Sequence, residues 1–223
     1  MRFSDWINQS LQSRPYVTVA LSGGSTPIKL FQIWADEYRT RIDWSRIHFF
    51  WGDERCVPHE SPESNFGEAN RIWLSHVDIP ASNIHPIMGD ADPIQEAIRY
   101  QSEIGRWVPA VDGVPQFDLI LLGMGSDGHT ASIFPDQMEL LTSDQLCAVA
   151  EHPVSGQKRI SITGRLIDHG LWVAFLIAGK DKQETLDQVL TQKGDYQKFP
   201  AAMIEAKQVD FFVDQAAWPD EIQ

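Results

Sequence analysis

The sequence predicts an α/β fold with a mostly parallel central sheet covered by helices on both faces. Two observations carry that prediction. Short apolar runs rich in β-branched and aromatic residues alternate with helix-period stretches along the whole chain, which is the rhythm of repeated βαβ units. Glycine-rich or charged turns follow three of those runs directly, at the position where open α/β sheets place their ligands.

The elements follow in order. Residues 3–11 read as an opening helix. Strands are predicted over 16–21, 47–51, 117–122, 172–177 and 209–213, and helices over 28–38, 64–76, 93–107 and 182–190. Segments 83–87, 147–150 and 160–163 are apolar enough to add further strands. Residues 77–93 hold three prolines and read as a connection. No internal repeat, low-complexity tract or long linker divides the chain, and 223 residues suffice for one large core. A single domain over 1–223 is therefore expected.

Composition narrows the function. A hydrophobic content of 43% fits a globular chain, and the longest apolar run, residues 171–178, has the length of a strand. It falls well short of the ~20 residues that span a bilayer. Charge interrupts every apolar stretch near the start, so no signal-peptide pattern is read. A net charge of −13 disfavours nucleic acid and anionic membranes as partners. An acidic chain that binds phosphate must concentrate its few cations locally. Cys56 and Cys147 form neither a disulfide framework nor a zinc spacing, which points to a reducing cytoplasm. His48, His59, His76, His85, His152 and His169 show no metal-ligand spacing, so neither a metal nor another cofactor is expected. The oligomeric state is left open, and a monomer is compatible with the sequence.

Three loops carry chemistry. Ser22-Gly23-Gly24-Ser25-Thr26-Pro27 follows the first strand. Its glycines let several amides converge as an anion nest, Ser25 or Thr26 can cap the next helix, and Pro27 suits the first turn. A phosphate there would meet free amides and the positive end of the helix dipole. The same residues also suit a plain β-to-α turn, and the loop lacks the ending of a Walker A motif. Gly52-Asp53-Glu54-Arg55 follows the second strand as a charge cluster, with Ser64 and Asn65 downstream as a helix cap or ligand contacts. Gly123-Met124-Gly125-Ser126-Asp127-Gly128-His129 follows the third. Its GxGxxG spacing is not read as a dinucleotide site, because Asp127 would repel a pyrophosphate and Pro135 shortens any following helix. His129 beside Asp127 instead makes an acid/base pair, since imidazole moves protons near neutral pH and a carboxylate fixes its tautomer. A core histidine satisfied by the loop backbone is the plainer alternative. Lys182 stands at a helix start, where cations are disfavoured unless an anion is near. Arg159 precedes a short strand, where a surface cation is the ordinary outcome.

Together these motifs resemble the 6-phosphogluconolactonase family. The matching segments are residues 20–27, 50–58 with Ser64-Asn65, 122–135, the Arg159-Ile160-Ser161-Ile162-Thr163 run and Gly179-x-x-Lys182, within a similarity running from about 16 to 213. The resemblance implies a Rossmann-like three-layer sandwich and a sugar-phosphate lactone, 6-phospho-D-glucono-1,5-lactone, as substrate. It implies hydrolysis with His129 as general base for water, Asp127 orienting its ring, and Arg55 on the oxyanion or the phosphate. Ser22, Gly23, Gly24, Ser25, Thr26, Asp53, Asn65, Arg159 and Lys182 would bind the substrate. The family usually places a strand before the first helix, whereas 3–11 already reads as that helix, which leaves one sheet edge open. The related glucosamine-6-phosphate deaminases carry a glutamate where this chain has Phe134, although Asp53 also matches their proton-abstracting position. The absent carboxylate favours the lactonase over the deaminase, and the presence of both Asp127 and His129 favours it over a non-catalytic sugar-phosphate sensor, which needs the phosphate loop only.

Overall fold

The computed structural model describes residues 2–220. Its centre is a five-stranded sheet, built from β1 (Val17–Leu21), β2 (Ile47–Trp51), β6 (Leu119–Leu122), β9 (Val173–Ile177) and β10 (Val209–Val213). The spatial order is β10-β9-β6-β1-β2, and every pairing is parallel. Strands β1, β2, β6 and β9 are buried at every position, as happens when helices cover both faces of a parallel sheet. The covering helices are α1 (Arg2–Ser10), α2 (Ser25–Asp36), α3 (Asn65–Ile72), α4 (Pro93–Trp107), α5 (Gly164–Asp168) and α6 (Gln183–Thr191). The result is a three-layer α/β sandwich. Helix α1 turns Phe3 and Ile7 inward, and the Phe3 ring lies 4.7 Å from that of Phe212 and 5.3 Å from that of Trp172. An aromatic cluster of Phe31, Trp34, Trp44, Phe49 and Trp73 fills the space between α2 and β2.

Some elements depart from the pattern read in the sequence. Residues 83–87 form no strand, and only a single bridge joins Ile84 to Phe49. Pro86 lies within the segment and removes a ladder donor. The expected helix over 64–76 ends at Ile72 and continues as a 3-10 turn, Leu74–His76. Strands β7 (Cys147–Glu151) and β8 (Lys158–Ile162) do form, but they belong to a separate antiparallel sheet with β3 (Asp53–Arg55). The charge cluster read as a loop is thus a strand, with Asp53 opposite Ser161 and Arg55 opposite Arg159. A small hairpin, β4 (Ala110–Val111) with β5 (Val114–Pro115), closes through Asp112 and Gly113, both at positive φ, as a two-residue hairpin turn requires.

This topology fixes where a ligand can sit. The chain passes from β1 to β2 on one side, then returns to β6 on the other side of β1. The carboxyl ends of β1 and β6 therefore flank a topological switch point, where the outgoing loops diverge and leave a crevice.

Candidate active site

Four loops leave the carboxyl ends of β1, β2, β6 and β9 and surround one cavity of about 200 Å³. Ser22, Gly23, Gly24, Ser25 and Thr26 line it from β1, Asp53 and Arg55 from β2 and β3, His129 from β6 and Lys182 from β9. Asn65 on α3 and Arg159 on β8 complete the wall, with Met124, Leu176 and Ala178 as its apolar part. Of the residues to which the resemblance gives a catalytic or binding role, Asp127 alone does not line the cavity; it stands behind His129. The lining holds three cations, Arg55, Arg159 and Lys182, and one carboxylate, Asp53. A chain of strongly negative net charge has therefore gathered positive charge at this one place.

The loop after β6 builds the His129–Asp127 pair. Gly125 N–H donates to the His129 carbonyl at 2.9 Å and Gly128 N–H to the Gly125 carbonyl at 3.0 Å, which curls the segment back on itself. Asp127 Oδ1 lies 2.6 Å from His129 Nδ1 and also accepts the His129 backbone N–H at 3.2 Å. Asp127 thus both orients the ring and braces the loop. Burial pushes the Asp127 carboxyl up, but the hydrogen bond and charge of His129, with backbone N–H bonds, hold it below its ordinary value. With Nδ1 engaged, Nε2 is the nitrogen left to accept a proton from water. A Cβ on Gly125 would overlap both the Asp127 carboxylate and the His129 ring, so glycine here is needed for the close approach of the pair. Ala131 holds a positive φ of 48° just beyond, a strained conformation of the kind that clusters at functional sites.

The loop after β1 leaves a helix start open. The N-cap of α2 is Gly24, at φ 91°, with no side-chain cap. Ser25 and Thr26 stand inside the first turn rather than capping it. By contrast, α3 is closed: Ser64 Oγ accepts from Gly67 N–H, and the Glu54 carboxylate takes the Asn65 and Phe66 N–H groups. Of these two helix starts, α2 is the one whose amides remain available to an anion. Gly23 permits a further approach, because a Cβ there would overlap the Asn65 side-chain amide. Lys182 ends a 3-10 turn, Lys180–Lys182, ahead of α6, and its Nζ lies 3.0 Å from Asp181 Oδ2.

The opposite wall is a buried polar network. Asp53 accepts from Ser132 Oγ at 2.6 Å, while Asn65 Nδ2 donates to the Asp53 carbonyl at 2.9 Å. Arg159 Nη1 stands 3.9 Å from Asp53 Oδ2, and its side chain is 12% exposed. This corrects the expectation of a surface cation: β8 carries Arg159 inward beside β3. Burial lowers the Arg159 pKa, with Asp53 opposing that fall and Arg55 adding to it. Arg55 Nη1 donates to the Glu63 carbonyl at 2.6 Å. The Nε–H groups of Arg55 and Arg159 are both buried without a hydrogen-bond partner, so the cleft wall carries two unsatisfied donors. Phe134 is fully buried, with its ring 4.8 Å from that of His129 and 5.7 Å from the Arg159 guanidinium carbon.

Sequence reasoning passed over Ser132, Glu54 and the packing role of Phe134. Ser132 gave no signal, since its partner Asp53 is remote in sequence. The alternation of side chains along Asp53-Glu54-Arg55 could have marked Glu54 as facing away from its neighbours.

Comparison with known proteins agrees with this geometry. The sequence model described as glucosamine-6-phosphate isomerases/6-phosphogluconolactonase matches residues 1–213. A 6-phosphogluconolactonase of Haemophilus influenzae is 43% identical over 204 residues, covering 90% of this chain and 86% of that protein. A 6-phosphogluconolactonase of Treponema pallidum is 44% identical over 179 residues, covering 80% and 74%. The crystal structure of the Thermotoga maritima 6-phosphogluconolactonase superposes with a TM-score of 0.83 at 33% identity, covering 95% of this chain and 91% of that one. With the base pair, the open helix start and the gathered cations on one crevice, the chain belongs to the glucosamine-6-phosphate isomerase/6-phosphogluconolactonase family.

Proposed function

We propose that this protein is a 6-phosphogluconolactonase, opening 6-phospho-D-glucono-1,5-lactone to 6-phospho-D-gluconate in the oxidative pentose phosphate pathway. The observation that carries the reading is the layout of one crevice: an imidazole oriented by a carboxylate on one side, an uncapped helix start with a lysine on another. The phosphate binds at the Ser22–Thr26 loop and Lys182, with Arg159 adding charge. His129 Nε2 takes a proton from water as it attacks the lactone carbonyl, and the imidazolium returns a proton to the departing ring oxygen. The Arg55 guanidinium stabilises the oxygen on which charge develops. General base catalysis supplies about 10²–10⁴-fold and oxyanion donors a further ~10²–10³. That is sufficient for an ester that already hydrolyses unaided.

The rival reading, deamination of an amino-sugar phosphate, needs a further acid/base group beside His129. Phe134 occupies that neighbourhood and carries no titratable group. The deciding experiment is hydrolysis of freshly generated 6-phosphogluconolactone with the spontaneous rate subtracted, run beside ammonia release from glucosamine 6-phosphate. Catalysis of the second and not the first would overturn the assignment. Among the described residues no three His, Cys, Asp or Glu side chains come together as a ligand set, so lactone hydrolysis should survive exhaustive chelation. Activity lost to chelation and restored by one divalent ion would contradict this. Among the described residues no helix is long and apolar enough to cross a membrane, and both cysteines are free; these features support the cytoplasm as its compartment.

A further inference from the structure

Glu54 lies between two cleft residues yet does not line the cavity. Alternation along β3 sends Asp53 and Arg55 toward the cavity and Glu54 to the other side. There its side chain is fully buried. Oε1 accepts the backbone N–H of Arg55 and of Asn65, both at 2.8 Å. Oε2 accepts the Phe66 N–H at 2.9 Å and the Ser64 hydroxyl at 3.0 Å. One carboxylate therefore ties β3 to the turn that opens α3.

That turn in turn holds both cleft-facing neighbours of Glu54. The Glu63 carbonyl accepts from the Arg55 guanidinium at 2.6 Å, and Asn65 Nδ2 donates to the Asp53 carbonyl at 2.9 Å. A buried charge with no ion-pair partner is costly, and its hydrogen bonds offset only part of that cost. Burial raises the Glu54 pKa, and its four hydrogen-bond donors pull it back. Only an ionised carboxylate offers two acceptor oxygens and no donor to these four groups, so the charge is retained to hold the turn.

We infer that Glu54 is a positioning residue for the reaction: its carboxylate fixes the 63–66 turn, and through it the Arg55 guanidinium and the Asn65 side chain, in the geometry the lactone requires. The assignment rests on the lactonase reading of the same site. Because Glu54 touches neither the α2 start nor Lys182, its loss acts on turnover rather than on phosphate capture.

The test is Glu54→Gln, which keeps the shape but presents an amide N–H₂ to donors. Loss of one or two charge-assisted bonds predicts a fall of about 10–100-fold in kcat, with KM changed by less than about threefold. A double-mutant cycle separates positioning from general weakening. In an Asn65→Ala background, Glu54→Gln should cost clearly less in kcat than in the unaltered protein, because one of the two contacts it orders is already gone. An equal cost in both backgrounds, or unchanged kcat in the folded variant, overturns the inference. Should Glu54→Gln fail to fold, Ser64→Ala, which removes one donor from the same carboxylate, is read in the same cycle with the same criteria. A substrate-free arm follows the Asn65 side-chain amide and Arg55 Nε–H resonances by NMR. Both should move in Glu54→Gln while the Gly24 amide does not, and unmoved resonances also overturn the assignment. If the unaltered protein hydrolyses no lactone, the functional reading fails, and this arm still decides the role of Glu54.

Discussion

Nδ1 of His129 lies 2.6 Å from Oδ1 of Asp127, and the same oxygen accepts the His129 backbone N–H. A single carboxylate oxygen therefore sets both the ring and the peptide that carries it. Replacing His129 by alanine removes the proton acceptor and leaves the Ser22–Thr26 loop untouched. Catalysed hydrolysis should fall by about 10²-fold or more while the fold persists. Steady-state kinetics with circular dichroism checks this, and near-normal turnover in a folded variant would exclude His129 as the base.

Gly125 supplies the space in which that pair forms. A methyl group at this position would overlap both Asp127 and His129, and one or both side chains must move. Displacement of a catalytic group by about 1 Å can cost about 10²-fold. Gly125→Ala should therefore lose turnover almost as severely as His129→Ala, with little change in substrate KM. A folded Gly125→Ala protein with more than about a third of the original kcat would show that the pair tolerates another arrangement.

The cleft was legible where chemistry sits directly after a strand. Glycine and charge following an apolar run mark the loops of Ser22–Thr26 and Asp127–His129, because a strand's end and a turn are both local signals. The sheet's strands were legible for the same reason, as continuous apolar runs buried on both faces. What could not be read depends on pairing between distant segments. Arg159 looks like a surface residue until β8 is laid beside β3, and Ser132 has no visible task until it meets Asp53. Glu54 looks like one more charge in a solvated turn; its four donors come from the adjacent residue and from a helix start ten residues on.

A histidine pair makes stability depend on pH. His48 Nδ1 lies 2.9 Å from His85 Nε2, and His85 Nδ1 lies 2.7 Å from Glu103 Oε1. With His85 donating to the carboxylate, its Nε2 accepts from His48 Nδ1–H, and both rings are neutral. Burial, then the charge of His85, lowers the His48 pKa to about 4. Burial also lowers that of His85, with Glu103 opposing the fall. In the unfolded chain each histidine titrates near its ordinary value, so between about pH 6.5 and 4 the unfolded state holds more protons. Stability is therefore unaffected by His48 above about pH 6.5 and falls as pH drops through that window. At about 1.4 kcal/mol per pH unit, His48 accounts for about 3 kcal/mol. Urea unfolding at pH 7 and pH 5 measures the slope, and His48→Asn, which keeps a donor toward His85, should flatten it. An equally steep loss in the variant would place the acid sensitivity elsewhere.

Lys182 tests where the phosphate binds. Its ammonium faces the cavity beside the uncapped start of α2 while resting 3.0 Å from Asp181. Asp181 is exposed, and its carboxyl is lowered chiefly by the hydrogen bond from Lys182. Such a contact exchanges readily for a stronger one to a dianionic ligand. Charge-assisted hydrogen bonds contribute about 1.5–3 kcal/mol, so Lys182→Ala should reduce kcat/KM on the phosphorylated lactone by about 10–100-fold. The same variant should hydrolyse unphosphorylated gluconolactone at nearly the original rate, because that substrate never made the contact. Lys182→Arg should recover only part of the loss, since a planar fork replaces a point charge beside the open helix start. An equal loss on both lactones would assign Lys182 to the chemistry or the fold, and the phosphate would then have to be held by the arginines across the cleft.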